Sequence, residues 1–126
     1  MHIGWIGTGR MGAAMVERLL ECSLKVSVWN RSPAKLDSLV EKGAKAMPTA
    51  AALASEVDVI VSILSHDGAI HDCYRGDNGV LSAGKQALRG KLVIEMSTVQ
   101  PHIAQALAKD LEGLGASMLD CPVGGD

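Results

Sequence analysis

Phenylalanine is absent from this chain, and its aromatic residues are two tryptophans and one tyrosine. Proteins that hold single-stranded nucleic acid stack bases on aromatic platforms along basic grooves. A formal net charge of −2 and a pI near 6.0 leave no basic surface for such a partner. No apolar run reaches the roughly 20 residues needed to cross a bilayer. The amino terminus enters an apolar strand without a signal peptide's basic and cleavable regions. Cysteine is scarce as well. Cys22, Cys73 and Cys121 are odd in number, widely spaced and form no C-x-x-C pair, which argues for reduced thiols and against a disulfide or zinc framework. His66, His71 and His102 have no ligand spacing and read as surface residues, not metal ligands or bases. These absences predict a cytoplasmic protein with neither nucleic acid nor membrane as a partner.

What remains is aliphatic. Hydrophobic residues make up 48% of the 126, and they are chiefly Ala, Val, Leu, Ile and Met, which suits helices packed tightly on a sheet. A single domain of this length buries roughly two thirds of its unfolded surface and needs no staples. Strand-length apolar runs alternate with helical patterns throughout. His2–Ile6 reads as a strand, then 10–22 as a helix with Met11, Met15, Leu19 and Cys22 on its apolar side. Lys25–Asn30 is a second strand. Ser32-Pro33 opens a helix to about Lys42, with Ser32 as cap and proline in the first turn. A short strand at Lys45-Ala46 and an alanine-rich helix capped by Thr49 follow. "VDVIVSIL" (57–64) reads as a strand covered on both faces. A helix near 66–74, a turn in "RGDNGVL", a strand at 91–96, a helix at 101–114 and a last strand in "SMLDCPV" complete the order. Such alternation means a parallel sheet with helices on both faces, and ligands bind beyond the carboxyl ends of its strands.

"GWIGTGRMGAAM" stands at the first strand-to-helix turn. A lone G-x-G-x-x-G is weak evidence, but here a strand precedes it, a helix follows and a second strand comes in step. Gly7 would make the tight turn, Gly9 would let the backbone approach a pyrophosphate, and Gly12 would bring helix and strand together. Thr8, Arg10 and Met11 share the loop, whose amides would face the phosphates with the helix dipole behind them. The expected fold is α/β, a Rossmann-type doubly wound parallel sheet in three layers. The expected ligand is a dinucleotide.

Which dinucleotide is decided at the end of the second strand. An NAD site presents Asp or Glu to the ribose 2′-hydroxyl about twenty residues past the glycines. This chain presents Asn30, Arg31 and Ser32. A carboxylate would repel a 2′-phosphate, whereas Asn can donate to it and Arg can pair with it. Hydrogen bonds to charged groups are worth roughly 1.5–3 kcal/mol, so one Arg contact means about tenfold or more. NADP is expected over NAD.

Four ordered motifs, "GWIGTGRMGAAM", "VWNRS", "EMSTVQP" and "LDCPVGGD", together resemble the β-hydroxyacid dehydrogenases, the group of the 3-hydroxyisobutyrate dehydrogenases. "VWNRS" and "SILSHD" look most like its glyoxylate/succinic semialdehyde reductase branch. The resemblance spans the whole chain. It implies reversible hydride transfer between NADP(H) and a small aldehyde or hydroxyacid. It also implies that Leu64 and Ser65, at the end of the fourth strand, lie beside the cofactor, and that Thr98 contacts it near the nicotinamide ribose. Thr98 and Ser65 could equally cap the helices that follow them.

The last motif departs from the family's D-A-P-V-S-G-G. Gly124 stands where a serine hydroxyl would hold the substrate carboxylate, Gly125 follows, and Asp126 adds a negative charge. Cys121, at the family's alanine, reads as a small buried residue. The family also implies a proton-donating lysine on a long helix, and an all-α dimerisation domain, both beyond residue 126. Lys85, Lys91 and Lys109 lie in the wrong motifs, so no catalytic residue is expected among these 126, and the chain alone is expected to be inactive. The parent protein is expected to be a homo-oligomer. Without the family's following elements, Leu119, Val123 and the apolar face of the last helix are expected to lack cover, which favours self-association. Two other readings stay open: an imine reductase, for which Gly124 leaves room, and an NADP-binding module without chemistry.

Overall fold

A computed structural model describes residues 1–123. Six strands, β1 (His2–Ile6), β2 (Lys25–Trp29), β3 (Lys45–Ala46), β4 (Val59–Ser62), β5 (Leu92–Glu95) and β6 (Ser117–Asp120), form one parallel sheet in the order β3-β2-β1-β4-β5-β6. The order reverses between β1 and β4, so a crevice opens there at the carboxyl ends of the strands. The helices are α1 (Arg10–Glu21), α2 (Asp37–Glu41, after a 3-10 turn at Pro33–Leu36), α3 (Ala50–Glu56), α4 (Asp67–Arg75), α5 (Gly84–Leu88, after a 3-10 turn at Val80–Ala83) and α6 (Pro101–Gly113).

Alternation along the strands divides the core in two. Ile3 and Trp5 of β1, Val26 and Val28 of β2 and Val61 of β4 meet Val16 of α1 and Leu39 of α2 on one face. Ile6, Ile60 and Val93 meet Leu53, Ile70, Leu107 and Leu111 from α3, α4 and α6 on the other. This is the three-layer Rossmann-type α/β fold expected from the alternation. Thr49 caps α3 as predicted, its side chain accepting from the Ala52 amide at 3.0 Å.

Several local expectations are corrected. The strands β2, β4, β5 and β6 are each one to four residues shorter than their apolar runs. In α1 Gly12 and Val16 are buried and Met15 and Leu19 pack against the core as expected, but Met11 is 46% exposed and Cys22 also faces solvent, because Gly12 takes the closest approach to β1. Cys121 is exposed, because it stands just past the end of β6, the edge strand of the sheet among the described residues. The segment Val80–Leu88 is helical, although its sequence reads only as the end of a turn. The bare apolar surface matches the expectation at Leu119 but not on the last helix. Leu119 is 49% exposed, but α6 buries Ala104, Leu107 and Leu111. A trough of about 520 Å³ lies instead on the α1 side of the sheet, lined by Trp5, Val61, Leu92, Ile94 and Met96. Gly124, Gly125 and Asp126 lie outside the described residues.

Candidate dinucleotide site

The loop between β1 and α1 is built by contacts that only glycine allows. Gly7 has φ +94°, and a Cβ there would stand 2.0 Å from the Ile63 carbonyl oxygen. A Cβ on Gly12 would lie 2.2 Å from the Gly7 carbonyl oxygen. That oxygen also accepts a hydrogen bond from Trp5 Nε1 at 3.0 Å, which ties turn, strand and helix together. Gly9 differs from both: a Cβ there would meet nothing within 4 Å. It sits at the N-cap of α1 without a side-chain cap, and the first helical bond runs from the Ala13 amide to the Gly9 carbonyl at 2.8 Å. The amides of Arg10, Met11 and Gly12 therefore head a twelve-residue helix with the positive end of its dipole facing open space. Beside them Thr8 is 7% exposed, and its Oγ1 is a buried polar atom with no partner. A buried orphan hydroxyl next to an open, amide-lined cradle fits an anionic diphosphate.

At the end of β2 a cavity of about 110 Å³ is lined by Trp29, Asn30, Arg31, Leu64, Ala69 and Asp72, with Cys73 at its base. Asn30 Nδ2 donates to the Ser32 carbonyl at 3.2 Å, which holds the turn. Arg31 is exposed, and Ser32 stands at a cap position without using its side chain. No carboxylate occurs between residues 30 and 36. Asn30, Arg31 and Leu64 are thus brought together from loops more than thirty residues apart. Trp29, Ala69, Asp72 and Cys73 were not foreseen as lining residues. The signal for Trp29 was its place beside Asn30 at the end of β2, and for the other three it was that α4 follows the strand next to β1. Burial, and then the charge of Glu95, push the Cys73 thiol far up and out of reach of ionisation.

Beyond the ends of β4 and β5, Ser65 and Thr98 are both exposed at the sheet's carboxyl edge. Neither caps a helix. His66 caps α4, with Nδ1 accepting from the Ala69 amide at 3.1 Å, and Gln100 precedes α6 without a side-chain cap. Behind these loops lies a polar cluster that the sequence did not announce. Glu95 is fully buried; Ser62 Oγ and Tyr74 OH both donate to its Oε2, the latter at 2.8 Å, and the Ser97 amide donates to its Oε1 at 3.1 Å. Ser97 Oγ in turn accepts from the Leu64 amide at 2.6 Å. Burial, reinforced by the Glu95 charge, raises the Tyr74 phenol well above its ordinary value. None of the lysines named above is near. Lys85 is on α5 and Lys109 on α6, while Lys91 precedes β5 at the opposite edge of the sheet, with its Nζ on the Ala54 carbonyl. No cluster of three potential metal ligands occurs among the described residues, and no helix described is long and apolar enough to cross a membrane.

Residues 2–126 match the family described as the NAD binding domain of 6-phosphogluconate dehydrogenase. The chain belongs to this family. Among curated relatives, the cytokine-like nuclear factor N-PAC of Danio rerio is 37% identical over 98% of this chain and 26% of its own length. The mitochondrial 3-hydroxyisobutyrate dehydrogenase of Bos taurus is 30% identical over 98% of this chain and 36% of its own length. Among solved structures, Psf3 in complex with NADP+ and 2-OPP superposes with a TM-score of 0.86 at 35% identity, covering 98% of this chain and 43% of that one. An imine reductase from Myxococcus stipitatus in complex with NADP+ gives 0.82 at 28%, covering 95% and 40%. This dinucleotide-binding domain therefore spans well under half the length of the proteins it resembles.

Proposed function

We propose that this chain is the NADP(H)-binding domain of an oxidoreductase of the β-hydroxyacid dehydrogenase type. In the whole protein, the bound nicotinamide would exchange hydride with a small aldehyde or hydroxyacid. The observation that carries the reading is the pairing of an open amide cradle at Gly9 with a carboxylate-free end of β2 at Asn30, Arg31 and Ser32. The amides of residues 10–12, with Gly7, Thr8, Gly9 and Gly12 shaping the turn, would hold the diphosphate. Arg31, Ser32 and Asn30 would hold the 2′-phosphate, and the cavity under Trp29 and Leu64 would take the adenosine. Ser65 and Thr98 would line the nicotinamide half, with Gly124 and Gly125 at the substrate.

The proton donor for the carbonyl lies outside these 126 residues in this reading, together with the dimerisation domain of a homo-oligomeric parent. Two free cysteines on the surface accord with a reducing compartment such as the cytoplasm. A second reading is a nucleotide-binding module without chemistry, favoured by a relative that bears the name of a nuclear factor. An imine reductase is a third, favoured by the Myxococcus neighbour. Calorimetric titration with NADPH and NADH tests the cofactor reading; binding of neither would overturn it.

A further inference from the structure

Glu95 is the one fully buried charged residue among those described, and packing does not require it. It is the last residue of β5, near Val93 and the aliphatic cluster beneath α4 and α6, where a leucine would fill the space without desolvating a carboxylate. Its partners are hydroxyls and one amide, drawn from different elements. Ser62 is the last residue of β4, Tyr74 lies on α4, and Ser97 belongs to the loop after β5. Ser62 Oγ and Tyr74 OH are also 2.9 Å from each other, so the three side chains form a ring of contacts in which both hydroxyl protons go to the carboxylate. From that ring a single chain of bonds leads outward. Glu95 Oε1 holds the Ser97 amide, and Ser97 Oγ holds the Leu64 amide. Leu64 lines the cavity at the end of β2, whereas Thr98 is the neighbour of Ser97 on the nicotinamide side.

We propose that Glu95 is a positioning residue for the dinucleotide. Through Ser97 it fixes the spacing between the loop that carries Leu64 and the loop that carries Thr98, so that both halves of one cofactor are held at once. This rests on the reading that these two loops flank NADP(H). The carboxylate's part is to accept: the Ser97 amide is an obligatory donor, whereas the hydroxyls of Ser62 and Tyr74 can turn either way. Glutamine keeps an oxygen for the Ser97 amide, although its amino group leaves one buried hydroxyl proton of Ser62 or Tyr74 without an acceptor, so it should cost stability but keep the loop spacing. Leucine is of similar size and accepts nothing.

The test compares NADPH with adenosine 2′,5′-bisphosphate, which spans only the adenosine half, on Glu95→Leu, Glu95→Gln and Ser97→Ala. Circular dichroism melts confirm that each variant folds. Glu95→Leu and Ser97→Ala are expected to weaken NADPH by about tenfold or more, and adenosine bisphosphate by no more than about twofold. Glu95→Gln is expected to keep both ligands within about threefold of the unaltered chain. If Glu95→Leu does not fold, Ser97→Ala decides alone, since it leaves the carboxylate and its ring intact. Equal losses for both ligands would reduce Glu95 to a structural residue, and no loss in Ser97→Ala, or a Gln variant as weak as the Leu variant, would also overturn the proposal. Should the unaltered chain bind neither ligand, the cofactor reading itself fails and the proposal fails with it.

Discussion

Gly12 approaches the Gly7 carbonyl so closely that a methyl group on it would sit 2.2 Å from the oxygen and 3.0 Å from the Trp5 Nε1 that donates to it. Gly9, between them in sequence, has open space in the same direction. The two glycines should therefore fail in different ways when changed. Gly12→Ala pushes a side chain into backbone that cannot yield, and is expected to cost about 1–3 kcal/mol or more in a denaturant melt. Gly9→Val is expected to leave stability within about 0.5 kcal/mol, because its Cβ would meet nothing within 4 Å. Its side chain would fill the cradle, and NADPH affinity should fall at least about tenfold. A Gly9→Val variant that binds as tightly as the unaltered chain would move the diphosphate elsewhere.

The end of β2 makes the second prediction. The unaltered chain should bind NADPH at least about tenfold tighter than NADH, and Arg31→Ala should erase most of that gap while leaving NADH alone. Asn30→Asp should work from the other direction. Its carboxylate would repel the 2′-phosphate and accept from a free 2′-hydroxyl, so NADH should gain as NADPH loses. Equal affinities for the two cofactors in the unaltered chain would contradict this.

Catalysis by the 126-residue chain is expected to be absent. The loops at the carboxyl edge of the sheet, residues 7–9, 30–32, 63–66 and 96–100, contain no lysine, and Lys91 lies at the far edge. Assays with glyoxylate, succinic semialdehyde and 3-hydroxyisobutyrate should show only background change in cofactor absorbance. Robust turnover by the purified chain would mean that a proton donor among these residues has been overlooked.

The parts of this molecule legible from sequence were those whose cause is local. Glycine spacing, the strand before it and the helix after it lie within some thirty residues, and they fix the turn at Gly7 and the side of the sheet on which Asn30 and Arg31 emerge. The Glu95 cluster was illegible for the opposite reason. Its donors Ser62 and Tyr74 are 33 and 21 residues away, and a carboxylate in "KLVIEM" looks like an ordinary strand end. Met11 misled because helical periodicity weighs hydrophobicity alone, whereas the close approach of α1 to β1 selects small residues. Val80–Leu88 was missed because a 3-10 turn followed by five helical residues is too short to show a period.

Acid should loosen the fold from the amino end of the sheet. His2 Nε2 lies 2.7 Å from Ser27 Oγ, and Ser27 donates its proton to Glu56 Oε2 at 3.1 Å, so the histidine nitrogen is the donor to Ser27. Burial first, then Lys25, lowers the His2 pKa below its ordinary value against the opposing pull of Glu56 and Asp58. Glu56 is lowered as well, chiefly by its hydrogen bond from Lys45. Both shifts carry the same sign. The unfolded chain takes up protons at a higher pH than the folded one does, so stability is complete above about pH 6.5 and declines as pH falls through the His2 value. Glu56 adds a further decline below the ordinary carboxylate range. Both groups are partly open to solvent, so the slope should be shallow and weaker at high salt. His2→Gln keeps a donor toward Ser27 and cannot charge. The melting temperature of that variant should therefore stay flat between pH 7 and 5, where the unaltered chain declines, and the two should fall together below pH 5. Parallel curves across the whole range would show that His2 contributes nothing to the acid response.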